Sequence, residues 1–219
     1  LDQVRIQGSL LIAQSGAAMD QVVKAAIDAG FGGLEELAGL PGTVGGAVFG
    51  NSGANGKAVA DLLYWTEYLD SEAKLYRKPA HRSAFGYRHS PFVQHGDHLI
   101  TEVAFALTPL AQKGEAMRRI EGYKAARNKK GHFRYPSLGS IFKNPSQEQS
   151  AGALIESLGL KGTSIGGASI SEAHANFIIN PHRTATSSDV QALIALIKEQ
   201  VVAATGVLLE EEINYLGQW

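Results

Sequence analysis

The sequence predicts a mixed α+β protein built from two units, residues 1–110 and 111–219. Short apolar runs bounded by glycine and proline predict strands, and other segments repeat apolar residues at helical spacing. Strand and helix patterns both occur along the chain, and the strands are predicted to form pairs and a hairpin, which favours a mixed α+β fold. The 219 residues are 44% hydrophobic and 19% charged, as in globular proteins, so a disordered chain or a coiled coil is excluded.

The first unit begins with two short apolar runs, Val4–Ile6 and Leu10–Ala13, which Gly8 separates. We expect them to pair as strands. Apolar residues at helical spacing predict a helix over Asp20–Ala29, which Gly30 ends. Three further runs are predicted to be strands, the first two of them a hairpin around Asp70-Ser71: Leu62–Leu69, Ala73–Arg77 and Leu99–Leu107.

The second unit follows a charged helical stretch, Glu115–Lys130, which is the predicted boundary between the units. Ser188 and Gln191 fit a capping box, and the apolar face after them predicts a long helix that ends at Gly206. The other predicted elements are a helix over Ala151–Leu158, a strand over Ala175–Asn180 and a final strand over Val207–Leu216 that contains three consecutive glutamates.

Charge and composition exclude several classes of function. Twenty Lys and Arg oppose 21 Asp and Glu, so electrostatic binding to nucleic acid or to an anionic membrane is not expected. No cysteine is present, which excludes disulfides and thiolate chemistry and fits the cytoplasm. The uncharged run over residues 37–56 contains Pro41 and seven glycines, so a loop is expected there instead of a membrane helix. Because the chain begins with Leu1, we expect an upstream segment.

The segment from Gly39 to Gly56 is rich in glycine and is predicted to be too flexible for a helix or a sheet. Its backbone N–H groups could bind phosphate, or the segment could form tight turns against a sheet. It matches neither the phosphate loop of nucleoside triphosphatases nor the dinucleotide-binding glycine pattern.

Three other segments carry candidate catalytic groups. Ser140-Ile-Phe-Lys143 has the S-x-x-K spacing of serine acyl transferases, but Pro145 ends the helix that this mechanism needs, so acyl transfer is disfavoured. Arg88 lies among aromatic residues and is either an anion clamp or a surface arginine. Glu212 is either a buried acid or one of three solvated carboxylates.

A short histidine-containing segment, His95-Gly-Asp97-His98, has potential metal ligands. Gly96 and the polar neighbours favour a surface turn, and no H-E-x-x-H motif is present. We therefore expect no metal.

Taken together, the motifs resemble those of one flavoenzyme family, the UDP-N-acetylenolpyruvoylglucosamine reductases (MurB). They occur in the family's order and extend over nearly the whole chain. They are Gly33–Val48, Asn51-Ser-Gly-Ala54, Phe85-Gly-Tyr-Arg-His-Ser90, Pro136-Ser-Leu-Gly-Ser-Ile-Phe-Lys-Asn-Pro145, Gly159-Leu-Lys-Gly162, Ile165-Gly-Gly-Ala168, Ser171-Glu-Ala-His-Ala-Asn-Phe-Ile-Ile-Asn180 and Leu209-Glu-Glu-Glu-Ile213.

This resemblance implies a bound FAD that passes hydride from NADPH to the enolpyruvyl group of a UDP-sugar, forming UDP-N-acetylmuramate. The reaction belongs to peptidoglycan precursor synthesis and hence to cell wall biogenesis, cell shape and cell division. By family position, Arg88 and a proton on Glu212 would stabilise charge on the substrate carboxylate. Ser140 would protonate the adjacent carbon, with Lys143 close to its oxygen.

The family fold implies that residues 1–110 are the remnant of a PCMH-type FAD-binding domain and that residues 111–219 form an α+β substrate-binding domain with a closing strand. The short connection after Arg88 resembles the shorter subtype of the family. Resemblance implies cofactor contacts by Gly42, Thr43, Val44, Gly45, Gly46, Asn51 and Ala54, and UDP-sugar contacts by Tyr87, Lys143, Asn144, His174 and Asn176.

The chain also departs from the family pattern. The family's N-terminal flavin subdomain, with its G-G-G-S-N-type loop, has no counterpart before Val4, and Glu211 replaces a proline, which adds charge beside Glu212. The alternative function is therefore a non-catalytic family remnant that binds a UDP-sugar or a protein partner without flavin.

Overall fold

A computed structural model describes residues 1–131 and 133–217 of the chain. Packing divides the chain into two compact units, Leu1–Ala125 and Ala126–Trp219. Within the described residues, no helix combines the length and the apolar character needed to cross a membrane. Each unit is described by itself.

The first unit is built around an antiparallel five-stranded sheet. Its elements are β1 (Val4–Gln7), β2 (Leu10–Gln14), α1 (Met19–Asp28), β3 (Phe31–Gly32), α2 (Val44–Phe49), β4 (Gly53–Ala54), β5 (Lys57–Ala58), β6 (Leu63–Leu69), β7 (Leu75–Pro79), α3 (Pro91–Gln94), β8 (Leu99–Ala106), β9 (Thr108–Pro109) and α4 (Lys113–Lys129), which runs past the end of this unit.

The large sheet has the strand order β1-β2-β8-β6-β7. Gly8, at φ +60°, closes the turn between β1 and β2, which confirms the predicted strand pair. The predicted hairpin is also confirmed, with β6 paired to β7 and the Asp70 carboxylate accepting hydrogen bonds from the backbone N–H groups of Glu72 and Lys74. The predicted strand over Leu99–Leu107 is confirmed as β8, which lies between β2 and β6.

Helix α1 is amphipathic, and its apolar stripe belongs to the core of the first unit. This confirms the helix that the sequence pattern predicted over Asp20–Ala29, with a shift of one residue at each end. Spacings of three and four residues put its apolar side chains on one face. Its buried residues are Met19, Val22, Val23, Ala26 and Ile27.

The prediction that the glycine-rich segment forms neither helix nor sheet was wrong, because it contains α2, β4 and β5. Tertiary packing outweighs the low helix propensity of glycine here. Val44 and Val48 of α2 are fully buried. Gly45 donates a 2.8 Å hydrogen bond to the Ser15 carbonyl, and a Cβ at this glycine would lie 2.9 Å from the Ser15 Cβ. Glycine therefore permits a close approach of α2 to the chain after β2.

The elements of the second unit are β10 (Ser137–Ser140), α5 (Ala151–Ser157), β11 (Ser164–Ile165), β12 (Ala168–Ile170), β13 (Phe177–Ile179) and α6 (Ser187–Thr205). The strands form a small antiparallel sheet with the order β10-β13-β12-β11. Residues on α5 and α6 contribute to the hydrophobic core of this unit. The predicted strand over Ala175–Asn180 is shorter than expected and covers only Phe177–Ile179.

Helix α6 confirms the long helix predicted before Gly206, which has φ +72° and ends it. The predicted capping pair, Ser188 with Gln191, was wrong. Thr186 is the N-cap, and its hydroxyl accepts a 3.2 Å hydrogen bond from the Asp189 N–H, while the Asp189 carboxylate accepts one of 2.9 Å from the Thr186 N–H. Asp189 also accepts a 3.1 Å hydrogen bond from the backbone of Gly167, and this tertiary contact favours the earlier start.

The prediction of a regular final strand over Val207–Leu216 was also wrong. The segment forms a single antiparallel bridge, between Glu211 and Phe142. Consecutive glutamates disfavour a continuous strand.

Candidate functional site

Arg88 lies at the tip of a tight turn in the first unit. The backbones of Gly86 and His89 exchange two hydrogen bonds, of 3.0 and 3.2 Å, across this turn. Arg88 has φ +52°, a left-handed conformation that is uncommon for arginine. Its guanidinium carbon lies 5.5 Å from the ring centroid of Tyr87, which is exposed. The turn therefore presents a cation beside an accessible aromatic ring.

Two buried polar residues, Asn51 and Ser90, fix this turn by hydrogen bonds to the backbone. The Asn51 side chain donates a 2.7 Å hydrogen bond to the Gly86 carbonyl and accepts one of 3.1 Å from the Ala60 N–H. Ser90, which is fully buried, donates a 2.6 Å hydrogen bond to the Phe49 carbonyl. Both contacts therefore attach the Arg88 turn to the C-terminal end of α2.

The predicted cofactor residues divide into an exposed and a buried group. Gly42, Thr43 and Gly46 are exposed, and a Cβ at Gly42 or Gly46 would meet no atom closer than 3.7 Å. Val44 and Asn51 are buried, while Gly45 and Ala54 are half-buried. The exposed backbone can be approached closely by a flat or charged group, and the buried residues support it. This arrangement fits a wall of a cofactor site.

In the second unit, the chain after β10 pairs with the segment after α6. The Glu212 N–H donates a 2.7 Å hydrogen bond to the Ile141 carbonyl, and the Lys143 N–H donates one of 2.8 Å to the Glu210 carbonyl. Ser140, the last residue of β10, directly precedes this pairing. Ser140 and Lys143 therefore lie on one segment and Glu212 on its neighbour, although the two segments are about 70 residues apart in sequence.

Lys143 and Asn144, which follow Ser140 in the same motif, both make polar contacts within the second unit. The Lys143 ammonium forms an ion pair with the Glu210 carboxylate. The Asn144 side-chain oxygen accepts a 3.2 Å hydrogen bond from the Ala151 N–H at the start of α5. Because Ser140 ends a strand, Lys143 does not lie one helical turn above it, and the geometry gives no support to serine acyl transfer.

Asn176 fixes the chain that follows Ser140. This asparagine is 4% exposed, and its amide makes two hydrogen bonds to the backbone of Phe142, accepting at 3.0 Å and donating at 2.8 Å. Its carbonyl accepts a 2.9 Å hydrogen bond from the Ile141 N–H. The neighbouring His174 stacks on Phe177, with 4.4 Å between the ring centroids, and accepts a 3.3 Å hydrogen bond from the Asn176 N–H.

The extra carboxylate at Glu211 is neutralised locally. Lys198 of α6 donates a 2.9 Å hydrogen bond to it, and the Tyr215 hydroxyl donates one of 2.6 Å. Burial alone would raise the pKa of Glu211, but these two donors lower it. Burial and the adjacent carboxylate raise the pKa of Tyr215 to about 12. Glu211 is therefore held as a carboxylate.

Sequence reasoning missed the residues that position the candidate groups. The role of Ser90 could have been predicted, because serine directly before proline is a common helix start, and the Ser90 hydroxyl does cap α3. No sequence pattern predicts the contacts of Lys198 and Tyr215 with Glu211, because these contacts depend on the tertiary structure.

Comparisons with known proteins identify the family. The family model "UDP-N-acetylenolpyruvoylglucosamine reductase, C-terminal domain" matches residues 131–216. A protein named UDP-N-acetylenolpyruvoylglucosamine reductase from Synechococcus sp. (strain WH7803) is 40% identical, over 97% of this chain and 71% of that protein. One of the same name from Protochlamydia amoebophila is 45% identical, over 85% of this chain and 60% of that protein.

A solved structure agrees with these relatives. The crystal structure of UDP-N-acetylenolpyruvylglucosamine reductase (MurB) from Thermus caldophilus has a TM-score of 0.78 and 34% identity to this chain. The similarity covers 93% of this chain and 71% of that one. Sequence and fold therefore agree that this chain belongs to the UDP-N-acetylenolpyruvoylglucosamine reductase family, an oxidoreductase family of peptidoglycan synthesis.

Proposed function

We propose that the chain acts in the NADPH-dependent reduction of the enolpyruvyl group of UDP-N-acetylglucosamine enolpyruvate to UDP-N-acetylmuramate. The observation that carries this proposal is the pairing of residues 141–143 with 210–212. It brings the hydroxyl-bearing Ser140 and the acidic Glu212 onto neighbouring segments. When bound, FAD would supply the hydride that it receives from NADPH.

The exposed backbone of Gly42, Thr43 and Gly46 is the part of this chain that we assign to the cofactor. Gly42 and Gly46 carry no side chain that would prevent a group from approaching the backbone closely. Asn51 would support this backbone without contacting the cofactor, because its side-chain amide is already hydrogen-bonded to Gly86 and Ala60. Val44, Gly45 and Ala54 complete the proposed flavin-binding residues of the first unit.

On the substrate side, each residue has a distinct task. Hydride addition to the terminal vinyl carbon places negative charge on the adjacent carbon and on the carboxylate. Arg88 would stabilise the carboxylate charge, helped by a protonated Glu212. The Ser140 hydroxyl would then give its proton to the carbon next to the carboxylate, which completes the addition of two hydrogens across the double bond.

The remaining residues would bind the UDP-sugar or support its site. Tyr87 and Asn144 are both exposed, so both are accessible in their own units. Lys143 would help Ser140 only after leaving its ion pair with Glu210. Asn176, whose amide is bonded to Phe142, would position the Ser140 segment, with His174 packed beside it.

The first test of this proposal is spectroscopic. The purified chain is incubated with FAD and desalted, and the flavin absorbance at about 450 nm is measured. Retained flavin that NADPH reduces and the enolpyruvyl substrate reoxidises supports the proposal. A colourless protein that still binds the UDP-sugar by calorimetry contradicts it and favours the non-catalytic alternative.

The second test assigns the proton donor. We expect Ser140→Ala to leave flavin reduction by NADPH intact and to block reoxidation by the substrate. Ser137→Ala, on the same strand, is the matched control. Equal slowing of both half-reactions by Ser140→Ala would show that Ser140 is structural.

A further inference from the structure

The turn between α3 and β8 concentrates potential metal ligands. The His98 N–H donates a 2.9 Å hydrogen bond to the His95 carbonyl, which closes the turn. Each of His95, Asp97 and His98 has a ligand atom within 4.8 Å of those of the other two. Among the residues that the structure describes, this is the one group of three such side chains. The expected surface turn is therefore present, and it brings three potential ligands together.

The chemistry of these ligands selects a class of ion. Two imidazole nitrogens and one carboxylate oxygen suit Zn²⁺, Ni²⁺ or Cu²⁺, whereas Mg²⁺ and Ca²⁺ prefer oxygen ligands alone. Bonds of about 2.0–2.2 Å place tetrahedral ligand atoms roughly 3.3–3.6 Å apart. Because the ligand atoms lie within 4.8 Å of one another, they would need to approach by at most about 1.5 Å. His95 and Asp97 are exposed and have room to do so.

One ligand already has a fixed position. The His98 ring stacks on Tyr68 with 4.8 Å between centroids, and Tyr68 is itself buried against Phe92. The Asp70 carboxylate also interacts electrostatically with His98.

The other imidazole would have to move. His95 stacks on His98 at 4.7 Å between centroids and 16° between planes. Because a metal ion binds in the plane of each imidazole, His95 must turn out of this stack, and its exposure permits the rotation. Water would complete the coordination sphere.

We propose that His95, Asp97 and His98 form a binding site for one divalent transition-metal ion of the Zn²⁺ or Ni²⁺ type. The site departs from the expectation of a metal-free protein and does not depend on the proposed reductase activity. The bound ion would connect the end of α3 to the start of β8 and, through the stacked Tyr68, to β6. Metal binding should therefore stabilise the first unit.

The test uses the untagged full chain, because an affinity tag of histidines would itself bind metal. Zn²⁺ and Ni²⁺ are titrated separately by calorimetry, and the thermal midpoint is measured with and without each ion. We expect saturable binding of one ion and a higher midpoint. His95→Ala, Asp97→Asn and His98→Ala should each weaken binding at least tenfold.

His182→Ala is the matched control, because His182 is exposed and belongs to the second unit. It should bind metal like the unaltered chain. If His98→Ala disturbs packing on Tyr68, the two variants at exposed positions still decide the result. The proposal would be overturned if the unaltered chain showed no saturable binding below about 1 mM metal. It would also be overturned if the His95→Ala and Asp97→Asn variants bound the metal as tightly as the unaltered chain.

Discussion

The side-chain amide of Asn51 donates a 2.7 Å hydrogen bond to the carbonyl of Gly86, 35 residues further along the chain. Asn51 lies two residues after the end of α2, the helix that the glycine-rich segment forms, and Gly86 begins the turn that carries Arg88. A single buried side chain therefore connects the proposed cofactor wall to the proposed substrate arginine within the first unit.

Replacement of this asparagine should destabilise the protein. Asn51→Ala would leave the Gly86 carbonyl and the Ala60 N–H without this partner, at a cost of about 2–4 kcal/mol in the free energy of unfolding. Urea denaturation measures the change. Asn55→Ala is the control, since Asn55 also has positive φ but is exposed and donates one hydrogen bond, to the Glu36 carbonyl, and it should cost only about 1–2 kcal/mol. Equal losses would show that burial of the Asn51 hydrogen bonds adds nothing to stability.

Two adjacent glycines in α2 should respond in opposite directions to alanine. Gly45→Ala would place a methyl group 2.9 Å from the Ser15 Cβ, which should cost about 1–3 kcal/mol of unfolding free energy. Gly46→Ala meets only the Thr43 hydroxyl, at 3.7 Å, and should stabilise the helix by about 0.5–1 kcal/mol. Chemical denaturation of both variants checks this.

The same glycine pair separates folding from cofactor binding. If Gly46 belongs to the cofactor wall, Gly46→Ala should weaken FAD retention while stability is kept or increased. Unchanged flavin affinity in this variant would remove Gly46 from the proposed site.

The Asn176 amide should contribute to the stability of the second unit. Asn176→Ala removes both hydrogen bonds to the buried backbone of Phe142 and should lower the free energy of unfolding by about 2–4 kcal/mol. Asn144→Ala, at an exposed position where the side chain accepts a hydrogen bond from the Ala151 N–H, should cost about 0.5–1 kcal/mol. A loss at Asn176 no larger than that at Asn144 would contradict the positioning role.

The cap of α6 should make stability depend on pH in the acid range. Backbone N–H groups of Thr186 and Gly167 lower the pKa of Asp189 below its ordinary value of 3.8. A lowered pKa in the folded state means that the carboxylate stabilises the fold above about pH 4 and that this contribution disappears as pH falls through the folded pKa. The unaltered chain should therefore be more stable than Asp189→Asn near neutral pH, and the difference should shrink below about pH 4.

Urea midpoints of both proteins across this range provide the measurement. Glu199→Gln, an exposed change within the same helix, should show no such convergence. A difference that stays constant down to the lowest pH would show that the Asp189 carboxylate does not act as a charged cap.

Local sequence patterns determined much of the fold. Apolar spacing located α1 and α6, and alternation with turn residues located the strand pair β1–β2 and the hairpin β6–β7. These elements follow the sequence because their side-chain periodicity matches a buried face. Family motifs in the sequence likewise predicted the candidate residues Arg88, Ser140 and Glu212.

Tertiary structure decided the features that depend on partners distant in sequence. The glycine-rich segment forms α2 because buried valines and the contact of Gly45 with Ser15 compensate for poor helix propensity. The cap of α6 lies at Thr186 because Asp189 also binds Gly167. The hydrogen bonds of Asn51 and Asn176 could not be read from the sequence, since a polar side chain does not specify which distant backbone group it will meet when buried.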